Sequence, residues 1–194
     1  MADFKSLSVF CGSKSGNNPA YAAEARRLGE LMAERGVRLV YGGGRIGLMG
    51  VVADAVHEAG GEVVGVIPDF LMHLEVGNEK VGELSVTDSM HSRKSRMFEL
   101  SDAAVVLPGG IGTLDETIEI MTWKQLRQHD RPIVLIDVDG YWKPFLDLLD
   151  AVIEGDFAHL KIRELISVVD SAEAVFQALA DAPEPDQEVL TSHL

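Results

Sequence analysis

The sequence predicts an α/β fold: an open parallel sheet of about seven strands with helices on both faces. Short apolar runs alternate along the chain with segments of helical period, the pattern of a parallel sheet covered by helices. A length of 194 residues suits one domain with a core of its own, and 46% hydrophobic with 25% charged residues is ordinary for a globular chain. The arrangement is Rossmann-like.

Strands are predicted at about 7–10, 38–41, 62–67, 83–86, 103–107, 133–136 and 165–168. In the first helix Tyr21, Ala25, Leu28 and Met32 recur at spacings of four, three and four, with Glu24, Arg26, Arg27 and Glu30 off that stripe. Pro19 stands at its start and Gly36 at its end, where each is favoured. Further helices are predicted at roughly 47–59, 90–100, 113–127, 141–154 and 171–180, with 68–82 as a loop. Residues 1–180 read as a single α/β domain, and 181–194, broken by Pro183 and Pro185, as a polar tail.

Composition narrows the function. A net charge of −14 opposes binding of a nucleic-acid polymer, while a small anion remains compatible with a cleft lined by a few cations and backbone N–H groups. No apolar run is long enough to cross a bilayer, so no membrane partner is expected. The first residues lack the pattern of an export signal, and the one cysteine, Cys11, excludes an internal disulfide, so a cytoplasmic location is expected. The six histidines show no zinc-ligand spacing, and neither metal nor cofactor is expected. Cys11 reads as a small buried residue rather than a nucleophile.

In an open α/β sheet the ligand sits at the carboxyl ends of the strands, and there this chain is glycine-rich. Cys11-Gly12-Ser13-Lys14-Ser15-Gly16 follows the first strand, Tyr41-Gly42-Gly43-Gly44-Arg45-Ile46-Gly47 the second, and Pro108-Gly109-Gly110-Ile111-Gly112-Thr113 the fifth. Any one of these loops could be a plain tight turn; three at one sheet edge, one leading into a helix, suit a phosphate. A Walker-type loop is absent, which argues against a nucleoside triphosphatase. Thr113-Leu114-Asp115-Glu116 reads locally as a capping box, with Thr113 as cap and Glu116 reaching back to it. The neighbourhood gives Glu116 a second use: a carboxylate one turn from a bound sugar phosphate, with Glu119 beside it. In Met90-His91-Ser92-Arg93-Lys94-Ser95-Arg96-Met97, Arg93 and Lys94 fall on the stripe of Met90 and Met97, and inward cations call for an anionic partner.

The run Pro108 to Glu116 fits P-G-G-x-G-T-x-x-E and Met90 to Lys94 fits M-H-x-R-K; together, and in their spacing, they resemble the Lonely Guy family of cytokinin riboside 5'-monophosphate phosphoribohydrolases. The resemblance runs from the Cys11-Gly12-Ser13 loop to about residue 180 and takes in Thr122-Trp123 and Asp139-Gly140-Tyr141. It implies hydrolysis, without a metal, of the N-glycosidic bond of an adenosine 5'-monophosphate, often N6-substituted, and a homodimer whose partner completes the pocket. It implies Arg93 and Glu116 as the essential pair, with Glu75, Lys94, Gly110, Ile111, Gly112, Thr113, Leu114, Asp115 and Thr122 contacting the nucleotide. Gly12, Ser13, Gly43, Gly44, Met90, Glu119 and Trp123 are further pocket candidates, Trp123 reading first as a core residue. Ile111 stands where members often carry tyrosine, which bears on base preference. The legacy label "lysine decarboxylase" implies no such activity here. Two alternatives remain: a non-catalytic nucleotide or molybdenum-cofactor carrier of related fold, and a nucleosidase acting on unphosphorylated nucleosides.

Overall fold

The structure, a computed structural model, describes residues 4–72 and 82–182. Seven parallel strands form one sheet: β1 Ser6–Phe10, β2 Arg38–Tyr41, β3 Val63–Pro68, β4 Glu83–Thr87, β5 Ala103–Val106, β6 Ile133–Ile136 and β7 Ser167–Val169. Their spatial order is β4-β3-β2-β1-β5-β6-β7, with Val9 registered against Tyr41 on one side and Val105 on the other. The chain builds outward from β1 to β4 and then crosses back to place β5 against the free side of β1. The order therefore reverses between β1 and β5, and a crevice opens outside their carboxyl ends.

Alternation along the strands fills two cores. Leu7 and Val9 face α1 (Pro19–Glu34), α2 (Gly47–Glu58) and α7 (Val175–Asp181), packing with Leu28, Val56 and Val175. Phe10, Val66 and Val106 face the opposite layer of α4 (Met90–Glu99), α5 (Ile111–Gln125) and α6 (Lys143–Glu154), packing with Met97, Ile120 and Phe145. The helices thus cover both faces, as expected.

The ends of α1 follow from its punctuation. The Asn18 side chain accepts from the Ala20 amide at 2.9 Å ahead of Pro19. At the other end Gly36 adopts φ 65° so that Val37 N reaches Met32 O at 2.9 Å and Gly36 N reaches Ala33 O at 3.0 Å, a Schellman closure.

Several boundaries differ from the sequence reading. Helix α5 starts at Ile111 rather than 113, with Gly110 as N-cap and no side-chain cap bond. Thr113 therefore lies inside the first turn, and the capping box is not formed. The expected loop 68–82 begins with Pro68 as the last residue of β3 and continues as a short helix, α3 (Asp69–Met72); of 73–82, only 82 is described. The last strand is 167–169 because Leu160–Leu165 winds into a 3-10 turn. Helix α6 starts at Lys143, after a 3-10 turn at Val138–Gly140 in which Asp139 is left-handed. The expected helix at 171–180 begins as a 3-10 turn, Ala172–Ala174, and α7 runs on to Asp181, inside the segment read as tail.

Candidate active site

The three glycine loops follow neighbouring strands and are tied to one another through the main chain. Gly12 N donates to Pro108 O at 3.0 Å, and Gly12 O accepts from Leu48 N at 3.0 Å. Gly47, at φ 69°, sits so close to the Ser13–Lys14 peptide that a β-carbon would lie 2.4 Å from it. Gly109 lies equally close to Thr113, whose hydroxyl would be 2.1 Å from an added β-carbon. Side chains at these two positions would push the loops apart.

Two adjoining cavities open here, sharing Ser13 and Gly110. The first, about 220 Å³, is bounded by the end of β1, by Met90 and Arg93 of α4, and by the first turn of α5 from Gly110 to Thr113 with Glu116. Leu114 N to Gly110 O, at 3.0 Å, is the first bond of α5. The amides of Gly110, Ile111, Gly112 and Thr113 therefore have no acceptor within their own helix, and the positive end of the helix dipole lies at this cavity. The second cavity, about 360 Å³, lies between Gly12–Gly16, Pro108–Gly110 and the rings of Tyr21 and Tyr141.

Arg93 is only 5% exposed. Its Nη2 donates to Gly42 O at 2.7 Å and its Nε to Val66 O at 3.1 Å, while Nη1 lies 3.7 Å from Met90 Sδ. Main-chain carbonyls just beyond β2 and within β3 thus fix the plane of the guanidinium at the cavity wall. Glu116, 8% exposed, reaches the same cavity from α5. Both charges act on the Cys11 thiol: burial pushes its pKa up, Glu116 raises it further and Arg93 opposes this. The thiol is thereby held neutral, which suits a packing residue and not a nucleophile.

Arg93, Glu116, Gly110, Ile111, Gly112, Thr113, Ser13 and Met90 are brought together at the first cavity, and Gly12 lines the second. Lys94 turns away from it: its ammonium lies 3.0 Å from both Asp115 and Glu119, tying α4 to α5. Burial pulls the Lys94 pKa down, but the two carboxylates outweigh it and the net shift is upward, so the group stays charged. Leu114 packs on the α4–α5–α6 core. Trp123 packs edge-on against Phe98 at 5.4 Å, as a core residue does. Gly43 fits against Ile67 and Leu84, and neither it nor Gly44 lines either cavity. Thr122 is exposed and bonds back to Ile118 O at 2.8 Å, away from both cavities. Glu75 lies outside the described residues.

Sequence reasoning missed the carbonyls of Gly42 and Val66, which are main-chain atoms with no residue signature, and Leu71 of α3, which lines the first cavity from a segment read as loop. Among the described residues no group of three or more His, Cys, Asp or Glu side chains is placed to hold a metal ion, and no helix is long and apolar enough to cross a membrane.

A family model described as "Possible lysine decarboxylase" matches residues 49–179. The cytokinin riboside 5'-monophosphate phosphoribohydrolase LOG of Oryza sativa subsp. japonica is 46% identical over 182 residues, 93% of this chain and 75% of that protein. LOG7 of Arabidopsis thaliana, of the same description, is 45% identical over 192 residues, 98% of this chain and 88% of its own. Among solved structures, the Moco carrier protein of Chlamydomonas reinhardtii superposes with a TM-score of 0.68 at 22% identity, covering 91% of this chain and 96% of the other, a likeness of fold alone.

Proposed function

This chain belongs to the LOG family of cytokinin riboside 5'-monophosphate phosphoribohydrolases, and from that premise we propose that it hydrolyses the N-glycosidic bond of adenosine 5'-monophosphates, with or without an N6 substituent, to the free base and ribose 5-phosphate. One observation carries the reading: Arg93 and Glu116, both buried, reach one cavity from two helices beside the first-turn amides of α5, which have no acceptor within that helix.

The chemistry follows from where charge develops. The 5'-phosphate rests on the amides of Gly110 to Thr113, at the positive end of α5. Cleavage builds positive charge on the ribose ring, and Glu116, one turn along the helix, stabilises that charge more in the transition state than in the ground state. The same carboxylate orients the ribose hydroxyls and the attacking water. Arg93, its plane fixed by two carbonyls, supplies a cation to phosphate or hydroxyl oxygens. A carrier needs no carboxylate against an anionic ligand, so Glu116 favours the enzyme over the carrier alternative.

Ile111 (82% exposed), Ile118 (48%) and Leu126 (46%) share one face of α5 with the exposed Thr122. This face is proposed as the seat of a homodimer, in which a second copy brings its own Thr122 toward the cavity. Residues 1–180 are proposed to act as one functional unit, in the cytoplasm, where a lone buried cysteine stays reduced.

The test is product release from a panel of nucleoside monophosphates and the matching nucleosides. Base is released from adenosine monophosphates faster than from adenosine, and Glu116→Gln abolishes turnover while nucleotide binding survives. Equal turnover by the variant would remove Glu116 from the mechanism, and preference for adenosine would favour the nucleosidase alternative.

A further inference from the structure

The peptide between Gly109 and Gly110 is the one link in the phosphate-facing turn that no β-carbon restrains on either side, so its two orientations differ little in intrinsic energy. They differ greatly for an anion. In one, the Gly110 N–H joins the other first-turn amides of α5; in the other, the Gly109 carbonyl presents its negative end to the phosphate. Something outside the loop has to choose.

The Tyr141 hydroxyl makes that choice, by donating to Gly109 O. In a planar trans peptide the C=O and the following N–H point to opposite sides. Gly109 borders only the second cavity, beside Tyr141, whereas Gly110 borders both. Drawing the carbonyl toward Tyr141 therefore leaves the Gly110 N–H directed away from it, toward the cavity of Arg93 and Glu116. The tyrosine is itself fixed. Its ring meets Tyr21 and Trp142 edge-on, with centroids 5.4 and 5.0 Å away. The turn that delivers it is pinned by Asn18 Nδ2 to Asp139 Oδ2 at 2.7 Å and by Trp142 N to Asp137 Oδ1 at 2.6 Å.

We propose that Tyr141 is a positioning residue: its hydroxyl holds the Gly109–Gly110 peptide in the orientation that offers the Gly110 amide to the 5'-phosphate. This rests on the reading of the site as one for nucleoside 5'-monophosphates. Tyr141→Phe keeps the ring and removes the donor. Calorimetric titration of the parent and the variant with ribose 5-phosphate and free adenine, and with AMP on a Glu116→Gln background that does not hydrolyse it, together with melting curves and initial rates, tests it. The affinity for ribose 5-phosphate and AMP is expected to fall about 3- to 10-fold, the worth of one hydrogen bond. Adenine affinity should not change, Tm should stay within about 2 °C, and KM for the monophosphate should rise with kcat preserved within about twofold. Unchanged ribose 5-phosphate affinity overturns the proposal, as do equal losses for adenine and ribose 5-phosphate or a collapse of Tm, which mark a merely structural role. A parent protein that binds neither ribose 5-phosphate nor AMP refutes the substrate reading itself, and the proposal falls with it.

Discussion

Replacing Arg93 with lysine keeps the positive charge at the cavity but cannot keep its geometry. The guanidinium satisfies two main-chain carbonyls at once, Gly42 O at 2.7 Å and Val66 O at 3.1 Å, from a side chain that is 5% exposed. An ammonium on a flexible stem reaches one of them, and a buried acceptor that loses its donor costs about 1–3 kcal/mol. For a chain of this size that is a fall in Tm of about 2–12 °C. Since Arg93 is placed to steady charge on the substrate, the loss of the fixed donor fork is expected to lower kcat/KM by about 10²-fold as well. Gly42→Ala examines the same contact from its other side. Its φ is not left-handed, so alanine is tolerated by the backbone, but the new methyl would stand 2.1 Å from Arg93 Nη2 and 3.0 Å from Met49 Sδ. The guanidinium has to move, and activity is expected to fall toward the level of Arg93→Lys with the arginine still present. Differential scanning fluorimetry and a base-release assay on both variants suffice. A lysine variant melting within about 1 °C of the parent, alongside an alanine variant of full activity, would refute the idea that these carbonyls hold Arg93 in its working position.

Two further outcomes are expected. Ile118→Asp, which places a charge on the exposed apolar face of α5, is expected to shift the species seen by light scattering from dimer to monomer; a parent that is already monomeric removes the dimer from the reading. Acid sensitivity is expected at His129, whose Nδ1 accepts from Arg131 N at 3.1 Å and whose Nε2 lies 2.9 Å from Ile120 O. Burial holds its pKa below the ordinary 6.5, so the unfolded chain takes up the proton first; the stability this site contributes is full above pH 6.5 and is lost as pH falls through the folded value. His129→Gln should flatten the fall in Tm between about pH 7.5 and 5.5, and parallel profiles for the two proteins would refute that assignment.

The strands and most helices were legible because their signal is periodic and local: Leu7 and Val9 go to one core and Phe10 to the other with no help from distant sequence. The start of α5 was not. Thr113 and Glu116 have the letters of a capping box, yet Gly110, at φ −93° and ψ −157°, caps the helix with no side chain at all. That matters for the site, because with Thr113 as cap the helix would begin three residues later, whereas with Gly110 as cap the amides left without an acceptor within the helix are those of Gly110 to Thr113, which line the cavity. The residues of the site were legible as types, Arg93 and Glu116 above all, and the fold brings both to one cavity. Lys94 shows the limit of such reasoning: the helical stripe placed it inward, and its anionic partners are Asp115 and Glu119 of this chain.

Glycine richness also overstated what the second loop contributes. The chain order reverses between β1 and β5, so only the loops after those two strands flank the crevice directly. The loop after β2 sits one strand away, and its glycines serve close packing: Gly43 against Ile67 and Leu84, Gly47 against Ser13 and Lys14. Its contribution to the cavity is the Gly42 carbonyl, offered to a guanidinium 51 residues later. A sequence records side chains, and here the decisive groups around Arg93 and Gly110 are main-chain atoms whose direction is set by residues far along the chain. The second loop thus acts on the chemistry through Arg93, and Gly42→Ala is the substitution that separates this role from loose packing.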